Sequence, residues 1–559
     1  MTSIALQYVQ ISNRNMYLGK DWVFHYNRFY DAAEQIKNKN FQYFISMYGF
    51  SQSGRIVNAL YGPLFAYLNG MLLIISKSWI NFQLFSNFLI TFLSSISMFL
   101  LLTKRKVKIT LSLLFSVMYS SFYLIQSWSF NQALGSWGGV IIPLGVLAAT
   151  DFFEDNYDLR KLLFLVFTMT ISIQIHLLTT LFLLIILSVF FVTAIMTVKQ
   201  KKRLFGSVVT GAIITLFMTA NVWYPLLEVH MENQVLRPFV EWNMEGSAVR
   251  FLVDNPLASL PVPVFLLFIF QFLLTVGLKQ KLLNGISTIL AFIFFVLSLK
   301  IFPWNILAQK WPSITIIQFP SRLLLPATVL VILALGLSLN QFLSNYNYRK
   351  NYKIFSYFLV LFLVFLGMKT HYTASMDRLS FWYKDEIQST TNKIIFKSKQ
   401  PKELRNSFKK GKDLELPLNL LIKPTPDYVP VKDESLAFDK NFNSYDRYTQ
   451  SIFDNSLNKK LKKKVEDGNL ILMWNANGDN VQLPIFVYNR TRLILNDKQI
   501  SSENIKLNEI GVPTIKSNNG KNVLKVEYRN SFLFYYSIFV TITSWLIFIV
   551  SCFWAIRKK

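Results

Sequence analysis

KLLFLVFTMTISIQIHLLTTLFLLIILSVFFVTAIMTVKQKKR, residues 161–203, decides the fold class. Residues 161–197 form one apolar run, roughly twice the length of about 20 residues that a spanning helix needs. Its weak point is Gln174-Ile175-His176, where the run divides into a helical hairpin with His176 at the tip. The basic residues Lys199 to Arg203 close it, and excess Lys and Arg in short loops marks the cytoplasmic side.

The same reading extends outward along the chain. Apolar segments near 80–103, 108–127, 131–150, 161–176, 177–197, 205–226, 262–278, 284–302, 322–341, 354–370 and 531–555 predict eleven spans. Lys104-Arg105-Lys106, Lys199 to Arg203, Lys279 to Lys281, Arg349 to Lys353 and Arg557 to Lys559 then all fall on the cytoplasmic side. An odd number of spans puts the termini on opposite faces, with the N-terminus outside and the C-terminus inside. Met1 to Lys20 holds neither a signal h-region nor a span, so a first helix is expected upstream. The interrupted run Ile56 to Ser76, broken by Gly62-Pro63 and Gly70, is assigned as a juxtamembrane or re-entrant helix. The alternative is that it spans and the charge rule fails once.

Composition agrees with a membrane class. Of 559 residues, 52% are hydrophobic and only 16% charged, with 51 Phe. A net charge of +27 would suggest nucleic acid in a soluble protein, but much of it sits between helices, so no nucleic-acid partner is expected. The remainder, such as Lys409-Lys410 and Lys462-Lys463-Lys464, decorates a polar block and suits either anionic polymer or plain solvent. Cys552 is the only cysteine and lies in the last span. No disulfide is possible within one chain, and the polar block is expected to stand on its own core.

The chain thus divides into residues 1–79, an outer loop with juxtamembrane helices; 80–370, the multi-span part; 371–530, an extracytoplasmic domain; and 531–559, an anchor with a basic tail. From about 468 the outer domain alternates as strands do, through Leu470 to Trp474, Val481 to Val487, Thr491 to Leu495 and Val523 to Tyr528. Turns at Asn477-Gly478 and Asn519-Gly520 predict a small antiparallel sandwich.

Chemistry-bearing residues gather on the expected outer face. Asp21, His25 and Arg28 are spaced by four and three, so one helical face presents all three. A carboxylate there can act as a general base while a cation neutralises a leaving phosphate; the same triplet also serves as an ordinary helix cap with a local ion pair. Arg322, after Pro320 at the outer mouth of a span, suits bidentate phosphate binding or simple anchoring at the interface. His176 reads as a substrate contact or a satisfied structural residue. Glu228, Glu232, Glu241 and Glu245, in a loop that also holds His230, Arg250 and Asp254, are second-acid candidates or solvated loop charges. His25, His176, His230 and His371 all fall outside, yet no two have ligand spacing, so no metal is assigned.

These pieces carry a resemblance. Gly19 to Arg28 resembles the "D-x-x-x-H-x-x-R" first outer loop of bacterial YfhO-like, "6-pyruvoyl-tetrahydropterin synthase-related" membrane proteins, which are similar to the GT-C glycosyltransferase superfamily. Tyr61 to Leu68 resembles the family's next apolar segment, and Asn131 to Gly135 its "R-x-A-L-G-E". Ile175 to Thr179 is similar to "S-H-L-x-T", Trp223 to Glu228 to "P-x-L-E", and Gln318 to Leu324 to "Q-F-P-W-R-L-L", the most specific piece. The resemblance covers about residues 19–370 in order. It implies a GT-C-like architecture, a catalytic base or metal ligand at Asp21, a polyprenyl-phosphate-linked sugar as donor and a cell-envelope glycan as acceptor. His25, Arg28, His176 and Arg322 are the expected substrate-binding residues. Two departures stand out: Ser136 follows the motif where the family has an acid, and Asn131 replaces its Arg.

Three function classes follow: a sugar transferase at the outer membrane surface, a lipid or glycan transporter, and a non-catalytic polymer-binding protein. Coupled transport needs ionisable groups near the midplane, and the predicted spans carry almost none. Neither sugar, acceptor nor cofactor is named by the residues.

Overall fold

The computed structural model describes residues 1–238, 241–251, 260–345, 350–385, 387, 394–398, 400–409, 411, 413–437 and 442–557. Asp254, Arg349, Lys410, Lys558 and Lys559, named above, lie outside the described residues. Each of the eleven expected segments is largely helical. Among the described residues, seven helices suffice by length and composition to cross a membrane: Trp79–Lys104, Ile109–Asn131, Leu134–Phe153, Leu177–Thr197, Pro320–Asn345, Asn351–Tyr383 and Phe532–Arg557. Lys201–Met218 and Ala220–Glu232 together would make an eighth, bent by 65° between them. Val262–Gly277 and Leu282–Ser298 are apolar but shorter, as is Pro63–Ser76. This last helix follows a break at Gly62 and packs on the Trp22–Asn38 helix.

The connecting loops separate into two groups. The basic ones touch one another: Arg105 pairs with Asp151 and Glu154, and Lys161 with Glu154 at 2.7 Å. The Lys199 and Gln200 amides donate to Asp155, while the Asn340 and Gln341 side chains donate to the carbonyls of Lys106 and Lys279. At the other ends of the helices, the Asn131 turn meets the N-terminal segment at Gly19 and Asp21, and that segment meets the 421–530 block. The 26-residue Trp79–Lys104 helix separates the two groups by about 39 Å.

The C-terminal block is β-rich, and all its strand pairs are antiparallel. One five-stranded sheet runs in the order Lys462–Glu466, Asn469–Asn477, Asn519–Tyr528, Thr491–Leu495, Lys498–Gln499. A three-stranded sheet orders Asn480–Gln482, Pro513–Lys516, Lys506–Leu507. Along Asn519–Tyr528 the residues Asn522, Leu524, Val526 and Tyr528 are buried in strict alternation, as a half-covered sheet requires. The expected strand Val481 to Val487 is strand only to Gln482, and the rest is buried chain without a ladder.

This block does not stand on a core of its own, contrary to the expectation above. Its Leu470, Leu472, Ile485 and Val526 share one contiguous core with Phe44, Ile45, Ile56 and Leu60 of the N-terminal segment and with Val229 and Val235. A sheet with one apolar face needs a cover, and here residues from the other end of the chain help provide it. The junction is reinforced by charge. Arg490 binds Glu232 with two guanidinium nitrogens and lies 3.2 Å from Glu228, whose side chain is 2% accessible and accepts the Ser531 hydroxyl. Glu228 and Glu232 are therefore structural partners of Arg490 rather than solvated loop charges.

Removing one partner of a buried pair strands the other, at a cost of about 3–5 kcal/mol when burial is complete. Arg490 is 27% accessible, so the lower end applies. Arg490→Ala is expected to lower the Tm of the detergent-solubilised protein, and adding Glu228→Gln is expected to recover part of the loss. Equal Tm for Arg490→Ala and wild type would refute this account of the junction.

Candidate functional site

Asp21 is placed by a close backbone approach. The Gly19 amide donates to Gln132 Oε1 at 3.0 Å and the Asp21 amide to the Asn131 carbonyl at 3.1 Å. A Cβ on Gly19 would stand 2.1 Å from Asn131 Cα, so only glycine permits this contact. Part of the motif around Asn131 thus serves to seat Asp21. Asp21 is the N-cap of the Trp22–Asn38 helix, yet its side chain makes no capping hydrogen bond. That sets it apart from an ordinary Asp cap, whose oxygen accepts from the first turn. The carboxylate instead lines a crevice: 49% of the side chain is accessible, although it lies deep among protein atoms. Burial raises its pKa above the ordinary value, opposed by the charges of Lys423, Arg322 and Lys20. Lys423 Nζ is 4.0 Å from Asp21 Oδ1 and donates to the Lys20 carbonyl at 2.6 Å.

One and two turns on, His25 and Arg28 share the face that their spacing predicts. Arg28 is fully buried. Its Nε donates to Asn58 Oδ1 at 3.0 Å, its Nη1 faces His25 Nδ1 at 3.4 Å, and its carbon lies 4.8 Å from the centre of the Tyr61 ring. Nη2 is buried with no hydrogen-bond partner. Burial pushes the guanidinium down to about 10, so it remains charged at neutral pH. Burial first, then the neighbouring charges of Arg28, His176 and Lys423, holds His25 far below the usual histidine range. His25 is therefore a neutral partner, with Nδ1 toward the Arg28 cation.

Arg322 arrives from the 317–322 loop. Its Nη1 donates to the Ile317 carbonyl at 3.2 Å and to Gln318 Oε1 at 2.9 Å, and its head stacks on Phe319. Gln318 adopts φ +57°, a conformation unusual outside glycine. His176 caps the Leu177–Thr197 helix, with Nδ1 accepting the Thr179 amide at 3.3 Å. Arg322 lies within electrostatic range of both Asp21 and His176. Gly62, at φ +77°, lets Tyr61 approach: a Cβ there would meet the Gln174 carbonyl at 2.3 Å. Contacts and electrostatic range thus link Arg28 to His25, His25 to His176, and Arg322 to both His176 and Asp21.

The sequence reading missed the other wall, which comes from the C-terminal block. Lys423 reaches Asp21, and Tyr428 packs edge-on against Tyr61 at 5.6 Å. Asp427 is in electrostatic range of Tyr61, Tyr428 and Tyr445, and Asp21 is in range of Tyr445. The prolines at 424, 426 and 430 were the only local signal, marking a stiff segment without saying what it faces. Ser136, which follows the Asn131–Gly135 stretch, donates to the Leu124 carbonyl at 2.9 Å and is buried. His230 bonds to the Leu226 carbonyl and sets its ring edge-on to Tyr428 at 6.5 Å, while His371 bonds to the Leu6 carbonyl. Among the described residues, no three of His, Cys, Asp or Glu cluster as metal ligands would. Comparison of the chain with known protein families and with curated proteins finds no match.

Asp31, on the same helix, is a contrast. Its Oδ1 accepts the amides of Met47, Tyr48 and Gly49 and its Oδ2 the Gln35 side chain, which fixes the following loop. Asp31→Ala is expected to cost about 3 kcal/mol or more, since it leaves two buried amides and one half-buried amide unpaired. Asp21→Asn is expected to act in the opposite direction. A carboxyl whose folded pKa is raised loses native-state stability as pH climbs above its ordinary 3.8, so the charge is unfavourable at neutral pH. Tm should rise in Asp21→Asn at pH 7, and the difference should close as the pH approaches 3.8. A Tm loss at pH 7 would mark Asp21 as a structural cap.

Proposed function

We propose that the chain is a polytopic, GT-C-like membrane glycosyltransferase of the YfhO-like kind. It takes a sugar from a polyprenyl-phosphate donor and adds it to a cell-envelope glycan or lipid-anchored polymer on the outer face. In this scheme eleven spans cross the bilayer, the β-rich block is extracytoplasmic and the C-terminal tail is cytoplasmic, as the grouping of basic loops favours. One observation carries the proposal: a half-accessible carboxylate, free of capping duty, stands among Arg322, Lys423 and Lys20 above a buried Arg28 with an unpartnered Nη2. A crevice richer in cations than in acids suits a phosphate-bearing ligand.

The chemistry balances with the groups at hand. Asp21 takes the proton of the acceptor hydroxyl while that oxygen bonds to the anomeric carbon. The bond from that carbon to the phosphate oxygen breaks, and the phosphate leaves with the electron pair. Arg28, Arg322 and Lys423 stabilise the charge it gains. His25 and His176, the first neutral, contact the substrate without adding charge. Tyr61 and Tyr428, packed edge-on beside Arg28, suit the apolar face of a sugar ring.

Ser136 favours a second reading, a non-catalytic polymer-binding relative, because its hydroxyl is engaged by the Leu124 carbonyl and no carboxylate stands there. Envelope glycan composition separates the two in a deletion strain complemented with wild type or Asp21→Asn at equal membrane levels. The expected outcome is that a sugar vanishes in the deletion and returns only with wild type. Restoration by both proteins would remove Asp21 from catalysis. An unchanged glycan profile in the deletion would favour the binding reading.

A further inference from the structure

The segment Lys423-Pro424-Thr425-Pro426-Asp427-Tyr428 lies across the crevice as a strap. Upstream, Ile395 and Phe396 pair with Leu421 and Ile422 as a short antiparallel ladder. Downstream, Val429 and Val431 exchange backbone hydrogen bonds with Leu236 and Gln234 at 2.9 Å each, and Tyr488 donates its hydroxyl to the Tyr428 carbonyl at 3.0 Å. Between these anchors the strap has few donors, because Pro424 and Pro426 lack an N–H and the Thr425 amide is turned back to the Lys423 carbonyl at 2.9 Å. The Pro426 carbonyl accepts the Val429 amide at 3.2 Å, while the Thr425 and Asp427 carbonyls need a donor from outside the strap.

Arg55 is that donor. It is buried, and its Nη1 donates to the Thr425 carbonyl at 2.7 Å and its Nη2 to the Asp427 carbonyl. Its charge rests against three aromatic rings, Phe50 at 4.8 Å, Tyr448 at 5.7 Å and Phe24 at 5.8 Å. Two of those rings belong to the N-terminal segment and one to the C-terminal block. Phe24 sits on the helix of Asp21 and His25, and its ring packs on Tyr61 at 5.3 Å. A planar guanidinium with parallel donors matches two carbonyls two residues apart, whereas an ammonium offers a single point.

We propose that Arg55 is a positioning residue: it fastens the 423–428 strap over the crevice and so delivers Lys423, from the C-terminal block, to Asp21. The site is then complete only while the strap is seated, and opening it at Arg55 admits or releases ligand. The consequence for sugar transfer rests on the function proposed above; the seating of the strap does not.

Thr425 offers a clean probe, because its hydroxyl is buried and has no hydrogen-bond partner, so Thr425→Cys costs no contact. Cys552 is the only native cysteine, and Cys552→Ser clears the background. Maleimide labelling of full-length Thr425→Cys protein in detergent reads the open fraction of the strap. Val526→Cys, in the buried face of the long strand, reads opening of the whole block. Arg55→Ala is expected to speed labelling at position 425 by about tenfold or more, as loss of two charge-assisted hydrogen bonds implies. Position 526 should stay protected, and Arg55→Lys should give a smaller rise. Unchanged labelling at 425 would overturn the proposal, as would an equal rise at 526, which would make Arg55 a general support of the block. Envelope glycan analysis of Arg55→Ala is read separately: fast labelling with normal glycan keeps the strap and refutes its role in transfer.

Discussion

An arginine buried without a carboxylate is the constraint on which this crevice depends. Taking a guanidinium out of water is costly unless something compensates for it. Arg28 has an amide oxygen from Asn58, the ring of Tyr61 and a neutral His25, with one donor still open. Around it the fold arranges aromatic faces and acceptors rather than an ion pair. Pairing Arg28 with a buried acid would quiet the site; leaving it open keeps positive potential available where Asp21 reaches water.

The rest of the site is built to hold that arrangement at the meeting of distant chain segments. Gly19 and Gly62 allow backbone contacts that a side chain would block, and they bring Asp21 against the Asn131 turn and Tyr61 against the His176 hairpin. Asp31 ties down the loop that leads to Arg55, and Arg55 in turn ties down the strap. The β-rich block shares its core with the N-terminal segment, so the wall bearing Lys423 moves with the wall bearing Asp21 only as long as these contacts persist. Polar groups with open valences, such as Arg28 Nη2 and the Thr425 hydroxyl, lie along the same seam.

Charge is sorted along the helices in a second way. The basic loops meet Asp151, Glu154 and Asp155 at one end, while Arg28, Arg322 and Lys423 gather with the single carboxylate of Asp21 among them at the other. The first group forms local ion pairs, largely buried between Arg105 and Asp151 and more open to solvent at Glu154. Arg28 and Lys423 in the second group are largely buried, where lower dielectric strengthens their pull on an anion.

The sequence by itself determined the features that depend on neighbours along the chain. Twenty apolar residues in a row must be helical where water is absent, and every expected span is largely helical. The spacing of Asp21, His25 and Arg28 put them on one face because a helix repeats every 3.6 residues. Alternation marked the Thr491–Leu495 and Asn519–Tyr528 strands, but not the loss of the regular ladder after Gln482, where burial with only scattered backbone bonds leaves the same apolar pattern. Only the tertiary structure decided that Glu228 and Glu232 belong to Arg490, that Asp21 is a cap whose carboxylate does not cap, and that Lys423 and Tyr428 complete the crevice. Those outcomes arise from contacts between residues hundreds of positions apart. Local spacing carries no record of such contacts, because they are set by how helices, strap and sheet pack and by which buried charges must find compensation.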